Sequence, residues 1–290
     1  MSTLTDRVAI ITGASQGIGR AIAEMFLQEG ASIAICARSA SMLAKSRESL
    51  EVLAGDSARV LCACVDVSDP HATEEFVRQT YDRFGALHIL VNNAGIHGPK
   101  GRIDQVSLSD WNQAVQVNLL GSMYAMRAVI PYMRSAGYGK IIQLSGGGAT
   151  KPMPFLGAYA ATKTAVVRLA ETVACELKGT GIDVNAIAPG AINTRLLDDV
   201  LLAGPDKVGE EAYRKALEQK SNGGSSALLA AQLAVFLASP KSDGVTGRLI
   251  SAVWDNWEKI PELKEEISNS DIFTLRRIIG KDRGMSCIDV

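Results

Sequence analysis

Seven short apolar runs, spaced by stretches of helical periodicity, give this chain its rhythm. The runs are RVAII (7–11), ASIAICA (31–37), ARVLCACV (58–65), LHILVNN (87–93), GKIIQLS (139–145), GIDVNAIA (181–188) and GRLISAV (247–253). They are nearly continuous in Val, Ile, Ala and Leu, without the alternation of a half-exposed strand. Parallel strands covered on both faces read this way. Between them, helical patterns occupy 17–29, 39–54, 70–84, 108–135, 157–178 and 225–238. Strands alternating with helices predict an α/β fold, a doubly wound parallel sheet of about seven strands with helices on both faces. Right-handed crossovers leave few topologies for it.

Two regions break the rhythm. Residues 191–225 form a polar insertion between the sixth run and the last helix, in which Leu196, Leu197, Val200 and Leu201 recur at helical spacing. That spacing fits a lid over a cleft and fits ordinary core packing equally well. Residues 254–290 trail past the last run, with helix candidates starting at Pro261 and at Asp271. Trp254, Trp257, Ile260, Leu263, Ile267 and Phe273 give this extension enough apolar surface to dock. No repeat, low-complexity tract or linker divides the remainder, so 1–253 is read as one domain.

Charge and composition narrow the function classes. A net charge of −1 offers no electrostatic case for nucleic acid or an anionic membrane. No apolar run approaches the roughly 18 residues that span a bilayer. The start, MSTLTDRVAIITG, lacks a basic region followed by a long apolar stretch, so no secretory signal is read there. The five cysteines (Cys36, Cys62, Cys64, Cys175, Cys287) suit a reducing, cytoplasmic setting better than a disulfide frame. Cys62 and Cys64 share a strand face and are read as core. Neither they nor His71, His88 and His97 have metal-ligand spacing, so no metal is expected.

The first chemistry-bearing stretch is ITGASQGIGRAIA, where the first strand passes into the first helix. Gly13, Gly17 and Gly19 enclose Ser15, Gln16 and Ile18. Glycine permits a tight turn and close approach to a pyrophosphate, whose charge then rests on the helix N-terminus. A lone glycine cluster is weak, but its place after the first strand of an α/β chain points to a dinucleotide. The second stretch is AYAATKTA (158–165). Tyr159 and Lys163 stand four apart and share a helix face.

With CVDV (64–67), NNAG (92–95), Asn118, Ser145 and PGAINT (189–194), these pieces resemble the short-chain dehydrogenase/reductase family. The matches follow the family's order from residue 8 to about 253. The resemblance implies a Rossmann-type NAD(P)-binding catalytic domain over 1–253, with 191–225 as a substrate lid. The 254–290 extension would pack on the same domain or on a neighbouring subunit. Asp66 and Val67 look like the pair that meets the adenine. Asn92, Ala94 and Gly95 look like the turn that supports the sheet beside the cofactor. Pro189, Gly190, Ile192 and Thr194 resemble the segment near the nicotinamide carboxamide, with Tyr159 and Lys163 beside it. The resemblance also implies a homodimer or homotetramer, packing through the helices at 108–135 and 157–178.

Cofactor choice is read at the end of the second strand. An acidic residue there would bond the ribose 2′-hydroxyl of NAD. Here Ala37 takes that slot and Arg38 follows, and a guanidinium suits a 2′-phosphate. NADP(H) is therefore favoured, with NAD(H) possible because Gln16 replaces the basic residue that phosphate-selective relatives often carry.

Hydride transfer between a nicotinamide and a carbonyl makes or consumes an alkoxide, so a proton must move. A cation near 4 Å at an effective dielectric of roughly 20 is worth about 4 kcal/mol. That is about three pKa units, enough to bring a phenol toward neutral pH. Lys163, helped by the oxidised nicotinamide, is expected to do this for Tyr159. Ser145 would hydrogen-bond the substrate oxygen, and Asn118, by resemblance, would hold a water linking Lys163 to solvent. The substrate is then a small carbonyl or alcohol compound. His97 and the loop MPFLG (153–157) are candidates to line its pocket. Other readings of the scaffold are a cofactor sensor without turnover and an epimerase. The joint presence of Ser145, Tyr159 and Lys163 counts against the first, and the short glycine spacing against the second.

Overall fold

The computed structural model describes residues 2–285. Seven strands, β1 (Val8–Thr12), β2 (Ser32–Ala37), β3 (Val60–Cys64), β4 (Ile89–Asn92), β5 (Gly139–Leu144), β6 (Ile182–Ala188) and β7 (Leu249–Ser251), form one sheet in the order β3-β2-β1-β4-β5-β6-β7. Every pairing is parallel. The order reverses between β1 and β4, which opens a crevice at the carboxyl ends of the strands.

The buried runs explain why both faces are covered. Along β1, Ala9 and Ile11 point into one core cluster, while Val8 and Ile10 point into the other. The first face carries α1 (Gly17–Gln28) and α2 (Ala40–Ala54). The opposite face carries α3 (Pro70–Phe84), α4 (Leu108–Val115), α5 (Gly121–Ala136) and α6 (Gly157–Glu176). Local signals start and stop these helices. Ser39 and Asp69 accept backbone N–H groups at the N-termini of α2 and α3, and left-handed glycines Gly55 and Gly85 end them. The single helix expected over 108–135 is interrupted by a π-helical turn, Gln116–Leu120, whose extra residue puts Asn118 in the buried seam.

The 191–225 insertion folds as three short helices, α7 (Arg195–Ala203), α8 (Pro205–Val208) and α9 (Glu210–Ser221). Leu197, Val200, Val208 and Ala216 give them a small core of their own. Helix α10 (Ala227–Ala238) then returns to the α1 face, apolar except for exposed Gln232 and mostly buried from Ala230 onward. Two cysteine readings need correction. Cys62 is half-buried and Cys64 exposed, because β3 is the edge strand. Cys287 lies outside the described residues.

Beyond β7 the chain turns back on its own domain. A 3₁₀ segment, Trp257–Leu263, leads into α11 (Lys264–Ser268). Ile260 and Ile267 join the first core cluster, and Trp257 packs on Phe236 at 5.5 Å. Trp254 and Leu263 stay exposed. The helix expected from Asp271 does not form. That stretch runs as irregular chain whose polar groups are taken by the sheet edge and α6 instead. Leu249 N–H donates to Phe273 O at 2.7 Å, and Leu275 N–H donates to Glu171 at 2.7 Å. Buried Arg248 holds the turn, donating to Ser270 O (2.9 Å), Ile272 O (2.8 Å) and Ser268 O (3.3 Å). Charged donors of this kind contribute about 1.5–3 kcal/mol each when not replaced by water. Arg248→Met should therefore make residues 268–275 cleavable in limited proteolysis and lower unfolding stability by about 2 kcal/mol. Unchanged protease resistance would show that Arg248 does not hold the segment.

Candidate active site

All the sequence-derived site residues lie at the carboxyl edge of the sheet or on the helices that border it. Gly13, Ser15 and Gln16 form the β1–α1 turn, Gly17, Ile18 and Gly19 open α1, and Arg38 follows β2. Asp66 and Val67 follow β3, while Asn92 ends β4 and Ala94 and Gly95 follow it. Ser145 follows β5, Tyr159 and Lys163 stand on α6, and Pro189, Gly190, Ile192 and Thr194 follow β6. A topology that reverses at β1/β4 gathers these loops around one crevice.

The glycine turn is built for close approach. Gly13 has φ +65°, and a β-carbon there would stand 2.8 Å from Ala94 Cα, so the β1 and β4 loops approach this closely because residue 13 is glycine. Thr12 and Asn93 lock the same junction. Thr12 Oγ1 accepts from Asn93 N–H (3.0 Å) and Ala94 N–H (3.1 Å), while Asn93 Nδ2 donates to Thr12 O (2.9 Å) and Gly13 O (3.0 Å). Asn92 faces the other way and ties the sheet to α5 through Ser122 O at 3.1 Å. Gln16 caps α1 without a side-chain bond, and the first turn carries no acidic residue. The positive end of that helix therefore stays available to an anion. Across from it, Thr194 Cγ2 would lie 3.6 Å from a β-carbon at Gly17, so the β6 loop faces the glycine turn. Gly190, with φ +89°, leaves room for Val253 and Ser225. An open helix N-terminus facing a second loop across a glycine surface fits a dinucleotide pyrophosphate.

At the adenine end, Asp66 is exposed and its carboxylate accepts from Ser68 N–H (3.0 Å) and Ser68 Oγ (2.7 Å). These bonds, with Arg38 nearby, outweigh partial burial and hold its pKa below the usual value. Arg38 is exposed and makes no ion pair among the described residues.

At the other end, Lys163 and Tyr159 lie on the buried face of α6. Lys163 Nζ donates to Leu144 O at 2.8 Å, which anchors it to the last residue of β5. It stands 5.8 Å from the centre of the Tyr159 ring. Gly146 completes the junction. Any β-carbon on it would overlap the Tyr159 hydroxyl, so the phenol reaches the end of β5 only because Gly146 has no side chain. Ser145 is buried, and its Oγ has no hydrogen-bond partner. Such an orphan is unusual in a folded chain and fits a place where a ligand oxygen completes it.

Asn118 is satisfied on both sides. Its Oδ1 accepts from Ile96 N–H (2.8 Å), and its Nδ2 donates to Ile96 O (2.9 Å) and to Thr162 Oγ1 (2.9 Å). A β-carbon at Gly95 would lie 3.3 Å from Asn118 Oδ1 and 3.4 Å from Lys163 Nζ. That glycine lets the two groups share one small space. Thr12, Asn93, Gly146 and Thr162 are the supporting residues that spacing alone did not single out. Their signals, a threonine ending a strand, a doubled asparagine and a glycine after a serine, acquire meaning only from three-dimensional neighbours.

In the free protein, without a nicotinamide beside them, burial sets the electrostatics of both groups. Burial pushes the Tyr159 phenol up to about 12, not down toward neutrality. Burial also pulls the Lys163 ammonium down to about 8. Taking both groups out of water disfavours each charged form, and at this separation the cation does not offset that loss for the phenol. In this state Tyr159 is a protonated acid at neutral pH. The helices of the 191–225 insertion and the 153–157 loop meet nearby. Phe155, at φ +66°, presses its ring toward Gly209 between α8 and α9, and its carbonyl accepts from Gly101 N–H at 2.9 Å.

Comparison with known proteins agrees with this architecture. A family model described as short chain dehydrogenase matches residues 7–202. A "Short-chain type dehydrogenase/reductase" of Picea abies is 34% identical over 252 residues, 85% of this chain and 91% of that protein. Levodione reductase of Leifsonia aquatica is 34% identical over 215 residues, 74% of this chain and 79% of that protein. The crystal structure of an NAD+-bound xylitol dehydrogenase superimposes with a TM-score of 0.78 at 26% identity, covering 86% of this chain and 98% of that one.

The packing at Gly146 gives a direct check. Gly146→Ala should displace the Tyr159 hydroxyl and cut turnover by about 100-fold, the order expected for a misplacement near 1 Å. Circular dichroism should remain native. Near-normal turnover would mean that Tyr159 is not held where the reaction occurs.

Proposed function

The chain belongs to the short-chain dehydrogenase/reductase family, and we propose that it interconverts a small carbonyl compound and the corresponding alcohol, using NADP(H) in preference to NAD(H). The observation that carries this reading is the orphaned, buried Ser145 hydroxyl at the strand end that Tyr159 reaches. The bound nicotinamide would supply or accept the hydride. Every other part belongs to the chain itself.

In reduction, the Ser145 hydroxyl donates to the substrate oxygen and steadies its growing charge. Tyr159, kept protonated by burial, hands its proton to that oxygen. Lys163 lies one helical turn away with a pKa near 8, poised to return a proton at physiological pH. Asn118 and the space left by Gly95 set the route by which that proton arrives. Oxidation runs the same groups backward. Gly13, Ser15, Gln16, Gly17, Ile18 and Gly19 cradle the pyrophosphate, Asp66 and Val67 flank the adenine, and Asn92, Ala94 and Gly95 support the cleft. Pro189, Gly190, Ile192 and Thr194 hold the nicotinamide end, and helices α7–α9 serve as the substrate lid.

Arg38 supports the NADP(H) preference, because it is exposed, unpaired among the described residues and follows Ala37 where NAD enzymes place an acid. NAD(H) remains the second reading, favoured by the NAD+-bound xylitol dehydrogenase neighbour. A carbonyl and alcohol panel run with NADPH and NADH, following nicotinamide absorbance, tests both. NADPH should be the better donor, Arg38→Leu should reduce that preference about tenfold, and Tyr159→Phe should abolish turnover while dinucleotide binding survives. Retention of most activity in Tyr159→Phe would reject the assignment of Tyr159, and an unaltered NADH preference in both proteins would reject NADP(H).

A further inference from the structure

One buried polar group beside the site has no task in the mechanism above. His97 follows the NNAG turn and is 93% buried by its 7% relative exposure. Its ring meets that of Tyr159 edge to face, 4.7 Å between centres and 80° between planes. Its Nδ1 has no partner, and neither ring nitrogen makes a hydrogen bond among the described residues. Native interiors seldom leave an imidazole in that condition, since an unmet donor or acceptor costs about 1–3 kcal/mol.

The surroundings argue for a neutral hydrogen-bonding role. Burial, with Lys100 and Lys163 nearby, pulls the His97 imidazole down to about 4, so it carries one donor and one acceptor at neutral pH. It borders a cavity of about 180 Å³ between the 96–100 loop, α4 and the lid helix α7. The other polar walls are Lys100, Asp110, Gln113 and Asp199. These offer donors and acceptors of both charge signs, a lining suited to hydroxyl groups and ill matched to a purely alkyl substituent.

We propose that His97 determines substrate choice by hydrogen-bonding an oxygen on the carbon adjacent to the one that reacts at Tyr159, so that the enzyme prefers α-hydroxy carbonyl compounds and vicinal diols to simple ketones and carbinols. The proposal rests on the carbonyl–alcohol reading and adds a substrate class to it. A ligand lacking the second oxygen leaves Nδ1 without a partner, whereas one bearing it supplies one. Hydrogen-bonding sites reject analogues that lack the expected polar group far more strongly than apolar pockets reject an extra one.

Acetoin and butanone differ only in the hydroxyl next to the carbonyl, and so isolate the effect. The native enzyme with NADPH or NADH should favour acetoin in kcat/KM by at least about tenfold. His97→Leu should bring the ratio close to one, mainly by raising KM for acetoin. His97→Gln, which keeps a donor and an acceptor, should restore much of it. No preference in the native enzyme, or a preference unchanged in His97→Leu, overturns the proposal. A binding measurement separates its failure from failure of the reaction itself. In the dinucleotide-loaded Tyr159→Phe protein, acetoin should shift the imidazole nitrogen resonances of His97, assigned by their absence in the His97→Gln double variant, and butanone should not. That selective shift upholds the His97 role even if neither ketone is reduced, and its absence rejects the role even if both are.

Discussion

The hydrogen bond from Lys163 to the Leu144 carbonyl is the tie on which the site's arrangement depends. It joins α6 to the last residue of β5, and so fixes the phenol of Tyr159 relative to Ser145. An ammonium buried to this degree is costly unless its protons are met, and the strand's terminal carbonyl is where the fold meets one of them. The neighbouring glycines follow from the same constraint. Gly146 must lack a side chain for the phenol to fit, and a side chain at Gly95 would crowd Asn118 and Lys163.

Burial then decides the chemistry available in the free protein. Low dielectric raises the phenol and lowers the ammonium, which leaves a protonated phenol beside Gly146, the residue after the unpartnered Ser145 hydroxyl. The Coulomb estimate from sequence assumed a cation near 4 Å in partly solvated surroundings. In the folded chain the ammonium is turned to Leu144, and desolvation is the larger effect for both groups. In the free protein Tyr159 is therefore a protonated phenol at neutral pH.

Much of the architecture was legible in the sequence. Near-continuous apolar runs marked all seven parallel strands, because a strand covered on both faces needs no polar alternation. Glycine spacing and the Tyr159–Lys163 pair marked the two ends of the cleft. What escaped the sequence depended on distant neighbours. The π turn at Asn118 is set by its bonds to Ile96 and Thr162. The stretch after Asp271 has the composition of a helix, yet Arg248 and the free edge of β7 take its backbone groups. Cys64 read as core because its run is apolar, and only the strand order reveals an edge.

Burial, and not the neighbouring cation, sets the proton on Tyr159 in the free protein. Spectrophotometric titration of tyrosine ionisation, comparing the free protein with Tyr159→Phe, measures this directly. No phenolate attributable to residue 159 is expected below the ordinary tyrosine pKa of 10, with ionisation at about 12. A difference between the two proteins showing Tyr159 already ionised near neutral pH would contradict it.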